Sequence, residues 1–443
     1  MRYSIFLLIT ILLVVSVIWL PTAAAQEPIR VLDQSVEAVF RDHITFRVKL
    51  ESDSPIKEVR LLYRVTGLPA TARGDAQFEP GTSVEAVFTI DQRRDYLPPG
   101  SEISYWWRIT NEAGDTLKTE PQTYLYMDDR HTWQTLSNER LTLYWYRGDD
   151  DFGEALFRQA NHTLDQIENE AGVRVKNPVK IFIYGSHRDL LEAVEVGAHE
   201  WTGGQAFTEH GIIVINVSPN DLDFGLIAVP HELTHIVIDQ ATDNPYGDIP
   251  RWLDEGLAVY MSGELDSPFR GYRSLVALYA KQNRLMTLQT LSSSFPADPE
   301  LANQAYAQSG LVVEFIIQNY GKEAMAKLLN IFAQGSLYDD ALREALGMDT
   351  WELDNAWRKH IGASPLERPG TTGQTPDSGQ AAAQAPTLSP TLSSSAGSTP
   401  PGIASTPRDA SGKVSIPCLS MGFTGAIVVA SFLTILLRGR PSS

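Results

Sequence analysis

From Ile29 to about Met127, apolar and polar residues alternate in short runs, HITFRVKL, VRLLYRV, VEAVFTI and ISYWWRIT, separated by the turn clusters SDSP, LPPG and EAGD. A period of two bounded by turn residues predicts half-buried strands. Several of them within roughly 100 residues predict a β-sandwich of immunoglobulin or fibronectin size over residues 27–127. The pattern changes after about residue 128. A strand candidate, LTLYWY (Leu141 to Tyr146), leads to an amphipathic helix from about Asp151 to Ala171. Two further strand candidates follow, VKIFIYG (Val179 to Gly185) and GIIVINV (Gly211 to Val217). From Phe224 almost to His360 the period is helical, broken near NPYGDIP, at the Ser-rich 292–299 segment and at Gly321. A small sheet followed by a helical half predicts an α+β domain over residues 128–365.

The ends of the chain read differently. Residues 1–25 combine Arg2, an apolar run from Ile5 to Leu20 and an Ala23-Ala24-Ala25 cleavage pattern, which predicts a signal peptide and a mature start near Gln26. The alternative is an uncleaved N-terminal anchor. Residues 366–414 are dominated by Gly, Ala, Ser, Thr, Pro and Gln and lack the apolar surface to fold, so they are expected to form a disordered stalk. Leu419 to Leu437 is uncharged and long enough for one helical bilayer crossing. Arg438 and Arg440 follow it and predict a cytoplasmic tail over 438–443. The expected protein is therefore a single-pass membrane protein of the cell surface, with its folded part outside.

Composition narrows the chemistry. The single cysteine, Cys418, rules out an intramolecular disulfide. The formal charge of −18 and pI near 4.9 argue against nucleic acid as a partner, since a sequence-independent hold on a polyphosphate needs a basic protein.

Chemistry is concentrated between Val229 and Glu264, VPHELTHIVIDQATDNPYGDIPRWLDEGLAVYMSGE. His231 and His235 stand four apart in a helical pattern, so their imidazoles project from one face about a turn apart, where one zinc ion can bridge them. Glu232 falls beside the metal, placed to take a proton from bound water. A catalytic zinc needs a third protein ligand and an open position, and Glu255, opening a second helical pattern, is the candidate. The bland alternative is a pair of ordinary histidines on an ordinary helix.

HELTH (His231 to His235) and WLDEGLAVY (Trp252 to Tyr260) resemble the gluzincin zinc metallopeptidases, particularly the peptidase MA-like domains related to the aminopeptidase and thermolysin clans. The resemblance covers about residues 135–362. It implies zinc on His231, His235 and Glu255, with Glu232 as general base in peptide-bond hydrolysis. It also implies that the strand before the first helix, Gly211 to Val217, is the edge along which an extended peptide or protein substrate pairs. In AYAQSGLVVEFI, Tyr306 matches the position of a tyrosine that stabilises the oxyanion. No segment before HELTH resembles the aminopeptidase motif that holds a free amino group. The nearest, WTGGQAF (Trp201 to Phe207), offers glycines and no acidic anchor.

Other residues carry open readings. Asp254 is either a support for a ligand histidine or a surface acid. His199 and His210 either line the cleft or are simply solvated. Asp149, Asp150 and Asp151 form either a cation loop or a helix cap, and Cys418 is either a lipid carrier or unmodified. At the level of the whole protein, a catalytically silent binding or adhesion protein with a zincin-like domain remains the alternative, as does a purely structural zinc.

Overall fold

Residues 28–194, 202–268, 270–367 and 417–419 are described by a computed structural model. The alternating N-terminal runs form eight strands, β1 (Ile29–Val39), β2 (His43–Ser52), β3 (Ile56–Val65), β4 (Ala72–Asp75), β5 (Ser83–Asp91), β6 (Glu102–Asn111), β7 (Thr116–Lys118) and β8 (Gln122–Leu125). They make two antiparallel sheets, β1-β2-β5 and β4-β3-β6-β7, with β8 also paired to β6. One residue in two faces inward, and Phe46, Val48, Leu50, Leu61, Trp107 and Ile109 close the core between the sheets. This is the expected sandwich.

The second part opens with β9 (Gln134–Ser137) and β10 (Leu141–Trp145), then helix α1 (Asp150–Ala171), β11 (Val179–Tyr184), α2 (His187–Ala193), β12 (Thr202–Phe207) and β13 (Ile212–Asn216). Asp149 accepts a hydrogen bond from the Phe152 N–H, so this acidic cluster caps α1. The strands form one sheet in the order β12-β13-β11-β10-β9; β10, β11 and β13 are parallel, and β9 and β12 are antiparallel. A last short strand, β14 (Pro417–Leu419), pairs with β12. The substrate edge expected at Gly211 to Val217 is thereby corrected: β13 is interior, hydrogen-bonded to β11 on one side and β12 on the other. Gly203 and Gly204 weaken the apolar signal of β12, so the sequence pattern does not show the strand that lies outside β13.

Both faces of this sheet are covered. Val179, Ile181 and Ile183 of β11 pack with α1 and the later helices in one core, whereas Phe182 and Tyr184 join the core of the sandwich. β13 divides likewise, with Ile213 and Ile215 on the helical side and Ile212 and Val214 on the other. Polar contacts reinforce the junction: Lys180 Nζ donates to Gly100 O at 2.9 Å, and Tyr184 donates to buried Asp128 at 2.8 Å. The boundary near residue 128 is thus a shared core.

The helical half comprises α3 (Leu222–Thr242), α4 (Arg251–Met261), α5 (Tyr272–Lys281), α6 (Leu288–Leu291), α7 (Pro299–Ala333), α8 (Tyr338–Leu346) and α9 (Thr350–His360). The interruptions fall where expected, and at Gly321 the backbone reaches φ 80° inside α7, a conformation suited to glycine. The signal-like start, nearly all of the stalk, and the apolar C-terminal run beyond Leu419 lie outside the described residues. Among the described residues no helix is long and apolar enough to cross a membrane.

Candidate metal centre and cleft

α3 carries His231, Glu232 and His235, and α4 brings Glu255 against them. Their approach depends on small residues. A Cβ on Gly256 would lie 2.5 Å from Ser309 O, and one on Gly310 would lie 2.5 Å from Val259 Cγ1, so α4 and α7 pack backbone to backbone. That contact sets Glu255 on one helix and Tyr306 on the other around a common cleft.

His231 Nε2 and His235 Nε2 each lie 3.4 Å from Glu255 Oε2, beyond an ordinary hydrogen bond. Three tetrahedral zinc ligands with bonds of about 2.0–2.1 Å stand about 3.4 Å apart, so the spacing suits one zinc ion. The far nitrogens are fixed: His231 Nδ1–H donates to Glu264 at 2.8 Å, and His235 Nδ1–H donates to Asp254 at 2.8 Å. Each carboxylate selects the tautomer that leaves Nε2 with a lone pair for a metal. His231, His235 and Glu255 are the group of metal-binding type found among the described residues, and all three are buried.

Two acids are held ionised in this buried place. Burial pushes the Glu255 carboxyl up, but Arg251, whose guanidinium lies 2.5 Å from Oε1, together with His235 and His231 holds it well below the usual carboxylate range. Burial likewise opposes ionisation of Glu264, and His231 and Arg270 outweigh it, with a further hydrogen bond from Ser262. Tyr272 also donates to Glu264, at 3.3 Å.

The open cleft is lined by His231 and Glu232, by Gly203 and Gly204 of β12, and by Tyr306. Phe224, Ile227 and Ala228 form an apolar wall one to two turns before His231; Arg270, Tyr272 and Asn303 stand opposite. A Cβ on Gly204 would lie 3.1 Å from Glu232 Oε1, so the glycine lets strand backbone come up to this carboxylate. The Tyr306 ring is 6.3 Å from that of His231 and packs edge-on against Phe295 at 5.2 Å.

All five residues singled out for metal and catalysis, His231, Glu232, His235, Glu255 and Tyr306, therefore meet in one place. Asp254 is a histidine support. His210 does not line the cleft: its Nδ1 faces Thr66 O of the sandwich at 3.3 Å, because the turn after β12 carries it to the domain junction. His199 lies outside the described residues. Sequence reasoning missed Glu264, Arg251 and Arg270. Arg251 carried a usable signal, an i, i+4 position before Glu255; Glu264 had none, since it follows α4 in a turn where helical spacing no longer applies.

Residues 159–363 match the family model described as Peptidase MA superfamily. No curated protein matches. Among solved structures, the chain is similar to the M1 zinc metallopeptidase from Deinococcus radiodurans, with 12% identity over 74% of this chain and 92% of that one and a TM-score of 0.32. The chain is also similar to a carbohydrate-binding module family 56 β-1,3-glucan binding domain, with 16% identity over 21% of this chain and 95% of that one and a TM-score of 0.15. OgpA from Akkermansia muciniphila matches at 13% identity over 22% of this chain and 28% of its own, with a TM-score of 0.19.

Proposed function

Residues 159–363 belong to the peptidase MA superfamily, and on that premise we propose that the protein is a zinc metallopeptidase that hydrolyses peptide bonds. The observation that carries the reading is the convergence of two imidazole Nε2 atoms on one carboxylate oxygen at 3.4 Å, with Glu232 beside them in an open cleft. His231, His235 and Glu255 would hold the ion. When bound, it would supply Lewis acidity and a water of lowered pKa.

The chain's own residues divide the remaining work. Glu232 accepts the proton of the attacking water and returns it to the leaving nitrogen, so no covalent intermediate with the protein is needed. The Tyr306 hydroxyl donates to the oxygen that gains charge when the carbonyl carbon becomes tetrahedral. Glu264 and Asp254 keep both ligand rings from turning. Peptide or protein is the substrate class. The proposed protein is exported and tethered through the apolar run beyond Leu419, which follows the return of the chain to the sheet at β14, with the cleft outside the cell.

The reading is tested by digesting a peptide library with the full chain, with and without a chelator, in parallel with Glu232→Gln. The expected result is cleavage that the chelator and the substitution each abolish, while zinc content survives the substitution. Cleavage undiminished in Glu232→Gln would sink the proposal. The tether is tested separately: protease added outside intact cells should release a fragment ending within 366–414, and accessibility of Arg440 from outside would refute it.

A further inference from the structure

The five-stranded sheet of the sandwich turns a face to solvent whose charge contradicts that of the protein. Register places Arg73, Leu62 and Trp106 side by side across β4, β3 and β6, and Asp75, Arg60, Arg108 and Lys118 in the next row across β4, β3, β6 and β7. Arg64 stands one row beyond Leu62 on the opposite side. Rows on one face of a strand are about 7 Å apart, so five cations share a patch of three rows. Asp75 and Glu58 neutralise Arg60, at 2.7 and 3.3 Å. Among the described residues none of Arg64, Arg73, Arg108 and Lys118 is ion-paired with a carboxylate, and all four are exposed. At the centre the Trp106 indole is half-buried, and Lys118 Nζ lies 5.5 Å from its ring centroid.

Four unneutralised cations around one indole are unexpected on a chain of formal charge −18. Like charges so close repel one another, and water with loose counterions is a poor compensation compared with a fixed anion. We infer that this face binds an acidic polysaccharide, independently of the peptidase reading. The charges are spread along a flat sheet, which suits an extended polymer better than a single small anion. The indole offers a flat apolar platform for the C–H face of a sugar ring, while an acid group on the same or the next sugar reaches Arg73 or Arg108. An anionic bilayer fits less well. Trp106 is half-buried in the sheet, which suits an interfacial bilayer anchor less than a fully exposed indole would.

The test uses the full chain against immobilised polygalacturonate and heparin, carboxylated and sulfated probes, with laminarin as a neutral glucan, single-stranded DNA and anionic phospholipid vesicles as comparators. The expected result is retention on at least one acidic polysaccharide, weakened about 10-fold or more between about 50 mM and about 500 mM salt. The double variant Arg73→Gln/Arg108→Gln should weaken it about 10-fold at low salt, with melting temperature unchanged because both side chains are exposed. Trp106→Ala should weaken it further; Trp106→Leu, which keeps apolar bulk, distinguishes lost stacking from lost packing by retaining the fold and not the binding. No retention on either acidic probe would overturn the inference. So would retention indifferent to the double variant, or a preference for laminarin, DNA or vesicles over both polysaccharides.

Discussion

Glu232 and Tyr306 line the same cleft but are asked for different things, and their substitution should separate them. Glu232→Gln keeps shape and removes the proton acceptor, so zinc and fold should persist while kcat falls below detection. Tyr306→Phe removes one donor to the oxyanion and should lower kcat by about 10²-fold to 10³-fold with KM little changed. Full activity in Tyr306→Phe would make the residue a packing tyrosine against Phe295. The histidine supports predict a third pattern: Glu264→Ala or Asp254→Ala frees a ring to turn and should weaken zinc affinity by about 10-fold to 100-fold, measured by competition with a chromophoric chelator. Metal affinity unchanged in both variants would show that packing alone orients the rings. These supports also mark the limit of what the sequence discloses. His231, Glu232 and His235 are legible because a helix converts their spacing into proximity. Glu264 reaches His231 only through the turn that ends α4, and nothing local in the sequence encodes that meeting.

At the scale of elements, the site depends on how closely α4 approaches α7. Gly256 and Gly310 face opposite helices at distances that admit no side chain, so Gly256→Ala must push backbone against the Ser309 carbonyl. Overpacking of this kind costs about 1–3 kcal/mol, and the expected outcome is a lowered Tm together with reduced zinc occupancy, since Glu255 adjoins the displaced residue. Retained Tm with full zinc would mean that the pair relaxes without moving the site. The long helices were legible from their period and their breaks. β12 was not: two glycines in six residues erase the alternation, and one of them, Gly204, admits the strand to Glu232. The feature that hides this strand from a pattern reading is the one that brings its backbone to the cleft. β11 is the reverse case. VKIFIYG is apolar on both faces, a signature of a strand buried on both sides, although it does not say that the second cover is the sandwich.

For the whole molecule, the junction between sandwich and sheet concentrates buried tyrosines. Burial pushes the hydroxyls of Tyr126 and half-buried Tyr146 up to about 12, and burial together with the Asp128 charge holds Tyr184 well above the usual range for a phenol. An unfolded tyrosine ionises near 10. The folded values are raised, so the stability these neutral phenols contribute is complete below about pH 10 and is lost as the pH rises through about 12. Thermal melts should therefore hold a plateau up to about pH 10 and then fall, while the ring signals of these three tyrosines remain those of the neutral phenol until the fold is lost. Ionisation of Tyr126 or Tyr184 in the intact fold near pH 10, read from the ring signals of that residue, would contradict the burial assigned to them.

The shared core bears on how this architecture could have been assembled. An accessory module joined by a linker can be gained, lost or exchanged between proteins with little effect on its neighbour. Here the sandwich covers Phe182, Tyr184, Ile212 and Val214, so deleting it would uncover a strip of apolar sheet. A descendant lacking the sandwich would have to acquire polar residues at these alternate positions of β11 and β13 at nearly the same time, because a chain carrying only one of the two changes would aggregate or unfold. The two halves are in this sense a single unit of inheritance, and a library that shuffles modules at residue 128 should return soluble protein only when the incoming module supplies a cover for that face.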